Sequence, residues 1–392
     1  MSFDVEKVRK NFPVLSNSIY MNTGGTGPIS KEIAEEIQTI YEYARDFGPD
    51  TPNIKSDLEN RMEDTRVLSA NFLNVPVSTI AFIRAISEGM NIVAHGMNWQ
   101  KGDEIILSSE EHPSGVMPWL NLRDEFGVKI IKIKVIDDKN DFLSNLESLI
   151  NDNTKLISLS HVTTDTGHKL PAKEICSLAH EYGIPVIFDG AQSVGQFPID
   201  LNEIDCDFYA FTAHKWLLGG WGVAGFYIKP EWIEKLKISW TGAYAGTWDR
   251  GLKDDVVYET TAHKFEFGGR QKPLYIAMGL AIKYINSLGI NNIEKHVNKL
   301  TEKLKSGLLE IPKVVIRSPA NLEFCTGIVT FSLPELHGDE LSEKMWKKNI
   351  LGRPSLRHTD ISGVRISTAF FNNDEDINSI LNAVSDISNM IG

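Results

Sequence analysis

The chain has 392 residues, of which 42% are hydrophobic and 23% charged, and its formal net charge is −12. That is an ordinary globular composition on a chain too long for a single hydrophobic core, so two or three structural units are expected. The acidic balance argues against nucleic acid or an anionic membrane surface as the main partner. Three cysteines, Cys176, Cys206 and Cys325, are too few and too scattered for a disulfide framework or a cysteine-based zinc site, and reduced thiols are expected. Residues 1–6 lack the basic and apolar regions of a signal peptide. No apolar run approaches the roughly 20 residues that span a bilayer. A cytoplasmic location is expected.

In chain order, residues 82–91 end an apolar run and enter a helical pattern. Ser87 is placed as the N-cap of a helix running from Glu88 to Met97. Strands are predicted at 105–109, 129–135 and 155–160. A helix over 172–182 stops at Gly183. Further strands follow at 185–189, 207–212 and 223–228. This alternation predicts an α/β unit with a mainly parallel sheet covered by helices. Ligands of such sheets bind at the carboxyl ends of the strands. After 273 the pattern changes. Helices at 274–288 and 293–309 lead to strands near 314 and at 327–333, a helix at 339–347, a strand at 363–369 and a closing helix at 374–390. That reads as a smaller α+β unit.

Two strand ends carry the chemistry. The run Pro185-Val186-Ile187-Phe188 delivers Asp189, with Gly190, Ala191 and Gln192 after it. The run Asp207-Phe208-Tyr209-Ala210-Phe211 delivers Thr212, His214 and Lys215. Both polar sets leave the same edge of the sheet. Pyridoxal 5'-phosphate (PLP) needs such groups: a lysine amine for its aldehyde and an acid beside the pyridine nitrogen that keeps the ring an electron acceptor. Lys215 suits the first role and Asp189 the second, and Asp189 is expected to be ionised beside a pyridinium. Thr212 and His214 are placed to reach the phosphate, and Gln192 the phenolic oxygen. The helix start at Ser87-Glu88 offers a further anion site, provided the Glu88 side chain turns away. His112, after the strand at 105–109, is placed to stack on the pyridine face.

These motifs resemble those of the class V aminotransferase group of fold type I PLP enzymes, above all its cysteine-desulfurase-like and isopenicillin N epimerase-like members. The resemblance covers residues 20–376. It implies a large domain with a mainly parallel, seven-stranded sheet over 20–273. A smaller α+β domain of 274–392 is implied, with 1–19 packed on it. Asn22, Gly24 and Gly25, in Tyr20-Met21-Asn22-Thr23-Gly24-Gly25-Thr26-Gly27-Pro28, resemble the substrate-facing opening loop. Ser87 and Glu88 fall where the family holds phosphate, and His112 where it stacks a histidine. Thr164 falls near its contact to the phenolic oxygen. Asp189, Gln192, Thr212, His214 and Lys215 match the central motif. Arg365, in Val364-Arg365-Ile366-Ser367, resembles the arginine that grips the substrate α-carboxylate in two parallel hydrogen bonds. Gly269, with Arg270, resembles the segment that reaches the partner subunit's phosphate, which implies a homodimer with shared active sites and an amino-acid substrate.

One departure matters. Cysteine desulfurases carry a nucleophilic cysteine on a loop just before the carboxylate-binding arginine. Here that stretch is Leu351-Gly352-Arg353-Pro354-Ser355-Leu356-Arg357-His358, with no cysteine. Cys325 is read as a small core residue. Transamination, epimerisation and β-elimination, C–S lysis included, all remain open, with transamination or epimerisation placed first. Each begins with Lys215 released from the cofactor and acting as general base at Cα. Epimerisation needs a second acid, for which His358, Tyr244 and Tyr43 are candidates. Arg353 and Arg357 suggest a second carboxylate on the substrate. A metal hydrolase built on His161, His168, His180 and Asp189 is disfavoured by the spacing. So is a binding protein that keeps the fold without the chemistry, given an intact Lys215 and Asp189.

Overall fold

A computed structural model describes residues 3–249, 255–355 and 362–391. After a two-residue strand, β1 (Ile19–Tyr20), seven runs build one sheet: β2 (Ile80–Ile83), β3 (Glu104–Ser108), β4 (Lys129–Ile133), β5 (Thr154–Ser160), β6 (Val186–Asp189), β7 (Phe208–Thr212) and β8 (Ala224–Ile228). Their order is β2-β8-β7-β6-β5-β3-β4. β8 runs antiparallel to both neighbours, and the remaining pairs are parallel. Every residue of β2, β3, β6, β7 and β8 is buried. This is why those runs are continuously apolar instead of alternating: helices cover both faces. The edge strand β4 is the exception and exposes Lys129 and Lys132, charges that discourage pairing with another chain. Between β5 and β6 the helix Ala172–Glu181 ends as expected, and Gly183 takes a left-handed φ of +69°.

A hairpin of β9 (Gly246–Trp248) and β10 (Val256–Tyr258) precedes the second sheet. β11 (Val315–Ile316), β12 (Ile328–Ser332), β14 (Arg353–Ser355) and β15 (Gly363–Ser367) form that sheet in the order β11-β12-β15-β14. β13 (Ile350–Leu351) pairs instead with β1, in parallel. The first residues therefore join the C-terminal part. Arg9 binds Asp376 at 2.8 Å, and the Phe12 ring packs on Phe370 and Phe371. The helix Lys272–Leu288, assigned from sequence to the smaller unit, packs on the helices Lys31–Phe47 and Pro52–Phe72. Its Tyr275, Met278 and Ile282 enter the core on one face of the large sheet. The chain then turns at Gly289, φ +80°, and the next helix, Ile290–Leu309, leaves at 77°.

One buried ion pair ties the large unit together. Arg66, fully buried in the helix Pro52–Phe72, bonds Glu266 at 2.5 Å, the Ile80 carbonyl at 2.8 Å and Glu63 at 2.8 Å. Glu266 in turn accepts from the Phe82 amide at 2.8 Å and from Arg270 at 2.6 Å. A helix, strand β2 and the segment 266–270 thus meet on one carboxylate. Removing a partner from such a pair leaves a charge stranded in the interior. Arg66→Ala is expected to destabilise the fold by about 3 kcal/mol. Urea unfolding measures this, and a loss below roughly 1 kcal/mol would show that Arg270 alone suffices to hold Glu266.

Candidate active site

The register of the large sheet brings the chemistry together. Ser160 pairs with Asp189 and Asp189 with Ala210, so the ends of β5, β6 and β7 lie side by side. Above them is a cavity of about 200 Å³ lined by Gly25, Ala85, Ile86, His112, Ser114, Thr164, Asp189, Ala191, Thr212, His214, Lys215 and Arg353. Lys215 and Asp189 are both buried here. Burial lowers the Lys215 amine to about 8, with Arg365 and Arg353 pushing the same way and Asp189 opposing. Burial also pushes the Asp189 carboxyl up, against the pull of Lys215 and of the Ala191 amide that bonds its Oδ1 at 2.8 Å. A further positive charge beside it, such as a pyridinium, would favour the ionised Asp189 expected from the sequence.

Two histidines face the cavity as neutral rings. Burial, with Lys215 adding to it, lowers His112 and His214 each to about 4. His112 Nδ1 accepts the Ser114 amide at 3.1 Å, so its proton sits on Nε2. His214 Nδ1 lies 2.6 Å from Thr212 Oγ1.

Residues 22–27 close one side. The Gly27 amide bonds the His214 carbonyl at 2.7 Å. Gly24 gives its amide to Ser367 Oγ at 3.1 Å and its carbonyl to Gln192 Nε2 at 2.8 Å. A Cβ at Gly24 would stand 2.9 Å from Ser367 Oγ and 3.6 Å from Arg365 Cζ, so a glycine lets the loop lie on that guanidinium. Arg365 Nη1 donates to the Thr164 carbonyl at 2.7 Å, while Nε and Nη2 are buried without a partner among the described residues. Burial, with Arg353 adding, lowers this guanidinium to about 10, still fully charged at neutral pH. A buried, charged fork with two unmet donors has the chemistry to take a carboxylate. Asn22 Oδ1 is a further buried atom without a partner.

Several expectations change in detail. The helix at the cavity runs Ile86–Gly96 with Ala85 as its N-cap, two residues earlier than placed. Glu88 is the cause: its carboxylate turns back to the Arg84 amide at 2.9 Å and Nε at 3.1 Å, closing the first turn itself. It thus turns away from an anion at the helix start. Ala85 and Ile86 line the cavity, whereas Ser87 and Glu88 border an adjoining pocket. Gln192 is buried beside the cavity: its Nε2 donates to the Gly24 carbonyl and to Thr164 Oγ1 at 3.3 Å, and its Oε1 accepts from Trp216 Nε1 at 2.8 Å. Gly269 borders a separate shallow pocket with Arg84 and Arg270, and a Cβ there would meet nothing within 4 Å. Cys325 is not in the core: it is part-exposed, with Sγ 3.1 Å from Lys305 Nζ. Tyr43 is exposed on the helix Lys31–Phe47, and Tyr244 lies over the Arg270 guanidinium at 4.2 Å; neither lines the cavity. Arg357 and His358 lie outside the described residues. His161, His168 and His180 point to separate partners, Tyr209, Thr166 and Asp207. Sequence reasoning missed Glu111, the part-buried neighbour of His112, which is bonded by Ser108 and Ser160. Its signal was an acid immediately before that histidine, after a strand ending in serine.

The class-V aminotransferase family model matches residues 19–380. The chain belongs to that family. Cysteine desulfurases of Shigella sonnei and Escherichia coli are 27% identical over 413 aligned residues, covering 100% of both chains. Among solved structures, the cystine C-S lyase C-DES in complex with its product cysteine persulfide is 27% identical, with a TM-score of 0.89 over 96% of this chain and 99% of that one. Another C-DES structure carries glycine covalently linked to its PLP cofactor. The apo cysteine desulfurase of Thermococcus onnurineus NA1 is 26% identical, with a TM-score of 0.90 over 98% of each chain.

Class-V enzymes depend on PLP, and the residues fit it. Asp189 is a carboxylate whose charge burial disfavours, Lys215 is a buried amine of lowered basicity, and the start of an eleven-residue helix faces the cavity with Thr212 and His214. Because only the unprotonated amine attacks an aldehyde, the rate at which the apo protein takes up PLP should rise with pH about a midpoint near 8. Stopped-flow absorbance reads this directly. A midpoint near that of free lysine, about 10.4, would refute the lowered basicity. Lys215→Ala should abolish the visible band.

Proposed function

We propose that the protein is a PLP-dependent lyase that breaks the Cβ–S bond of a sulfur-bearing L-amino acid. The observation that carries this reading is the absence of any cysteine between Leu351 and Arg365, in a chain otherwise similar from end to end to cysteine desulfurases and to a cystine C-S lyase. A desulfurase stores sulfur on that cysteine, whereas elimination releases it with the leaving group and needs no thiol. PLP, when bound, supplies the carbonyl for the substrate amine and the electron sink for the Cα carbanion. Lys215, with an amine near 8, takes the Cα proton. Arg365 holds the α-carboxylate through Nε and Nη2. Arg353, cross-strand from Arg365 and exposed at the cavity wall, favours a second carboxylate, as in a disulfide-linked pair of cysteines. The Cα–H and Cβ–S bonds break, sulfur leaves with the electron pair, and the unsaturated amine hydrolyses to keto acid and ammonia.

Epimerisation has less support, because among the described residues the cavity offers Lys215 but neither Tyr43 nor Tyr244 as a second proton carrier. Transamination uses the same first steps and is separated by its products. Mass spectrometry after incubation with an amino-acid panel tests the proposal. Cystine and other S-substituted cysteines should give pyruvate, ammonia and a thiol or persulfide. A keto acid matched by an aminated acceptor, or an inverted stereocentre, would overturn it. Arg365→Ala should raise KM by roughly tenfold to a hundredfold, the worth of one charged fork, while PLP affinity stays unchanged.

We also propose a homodimer. Trp240, Trp248, Tyr244 and Tyr258 are exposed along the segment leading to Gly269, with fractional exposures of 60%, 57%, 42% and 46%. Such a cluster is covered in a stable protein, and a second copy would bring the segment at Gly269 to its partner. Sedimentation equilibrium should give twice the 43.9 kDa chain mass, and a monomer at micromolar concentration would exclude it.

A further inference from the structure

Immediately before His112, the Glu111 carboxyl is held at the ends of two strands and is part-buried. Oε1 accepts the Ser108 hydroxyl at 2.5 Å and the Ser160 amide at 2.9 Å, and Oε2 accepts the Ser160 hydroxyl at 2.6 Å. Ser108 ends β3 and Ser160 ends β5, and Ser160 is the register partner of Asp189. A Cβ built on Gly115 would lie 3.4 Å from Glu111 Oε2 and 3.9 Å from Asp189 Oδ2, so both carboxyls border one small space that this glycine leaves open. The steps above assign Glu111 nothing.

We propose that Glu111 is a positioning residue that pins the His112 loop to the end of β5 and places a second, switchable negative charge beside Asp189. Three donors aimed at one carboxyl favour its ionised form, while burial and the neighbouring Asp189 favour the neutral one. The balance leaves Glu111 raised to about 7. Asp189 faces it from β6, Glu110 and His112 flank it in its own loop, and Lys215 stands beyond Asp189. Glu110 is itself held by the Thr166 hydroxyl, and burial raises its carboxyl too. When Glu111 ionises, the added charge stabilises positive charge at the ring nitrogen and at Lys215. The positioning role rests on the PLP site and holds for any reaction there, so its failure leaves the C–S lyase reading standing.

The test is a pH titration of the visible absorbance band of the PLP-loaded enzyme. Glu111→Gln keeps an acceptor and the size of the side chain but removes the charge. Its titration midpoint should fall by roughly half a unit to one unit, the effect of one charge several ångströms away in a buried site. Ser160→Ala keeps the carboxyl but removes a donor, and should shift the midpoint the same way by less. Glu111→Asp, which retains the charge, should restore most of the shift. A midpoint in Glu111→Gln within about 0.1 unit of the wild type overturns the proposal. Should Glu111→Gln fail to load PLP, Ser160→Ala decides: an unmoved or raised midpoint overturns the proposal equally.

Discussion

The site depends on keeping an amine and a carboxylate together out of water. Lys215 and Asp189 are both buried, and each is penalised for its charge by the surroundings that bring them together. Neither compensates the other fully: Asp189 pulls the Lys215 basicity up, yet burial wins and the amine stays near 8. Desolvation thus prepares two properties at once, an amine that is partly unprotonated near neutrality and a carboxylate that gains most when a cation arrives beside it. PLP answers both, since it consumes the amine and presents a ring nitrogen that can be protonated.

The parallel sheet makes this arrangement rigid. Asp189 is the last residue of β6 and Thr212 the last of β7, and both strands are buried along their whole length between apolar layers. Moving either group would require slipping a central strand, which would turn its alternating side chains to opposite faces. The groups proposed to meet substrate are less tightly built into that sheet. Gly24 and Gly25 lie on a loop, and Arg353 and Arg365 on the smaller sheet. The division is physical: the cofactor end needs fixed charges, while the substrate end is assembled from elements of both parts of the chain.

How much of this the sequence displayed follows from the range of the interactions. Buried parallel strands announce themselves as continuous apolar runs, and a polar residue at the end of one is at the sheet edge, so Asp189, Thr212 and Lys215 could be placed without a structure. Contacts between distant segments could not. That Gln192 bonds Gly24, 168 positions away, is visible only in the fold. Ser87 reads as an N-cap until the Glu88 carboxylate turns back to Arg84 and starts the helix earlier. Cys325 reads as core because it precedes an apolar strand, yet Lys305 reaches it from the neighbouring helix. Glu111 shows in the sequence only as an acid before His112, because the meeting of β3 and β5 is what sets two serines around it.

Arg365 shows why a site of this kind keeps an unfavourable feature. Its Nε and Nη2 are buried with no partner among the described residues, and a buried guanidinium with unmet donors costs the fold stability. Thr164 holds one arm of the fork, which fixes the plane of the group without satisfying it. That leaves two parallel N–H groups spaced for a carboxylate, and their missing hydrogen bonds are returned when one binds. A lysine could supply the charge but not the plane, so it would leave the orientation of the Cα–H bond free. In the proposed reaction Lys215 is the general base, so that orientation decides whether the proton lies within its reach. In that reading the unmet donors of Arg365 and the lowered basicity of Lys215 serve one geometry, in which the carboxylate is held at one end and the proton presented at the other.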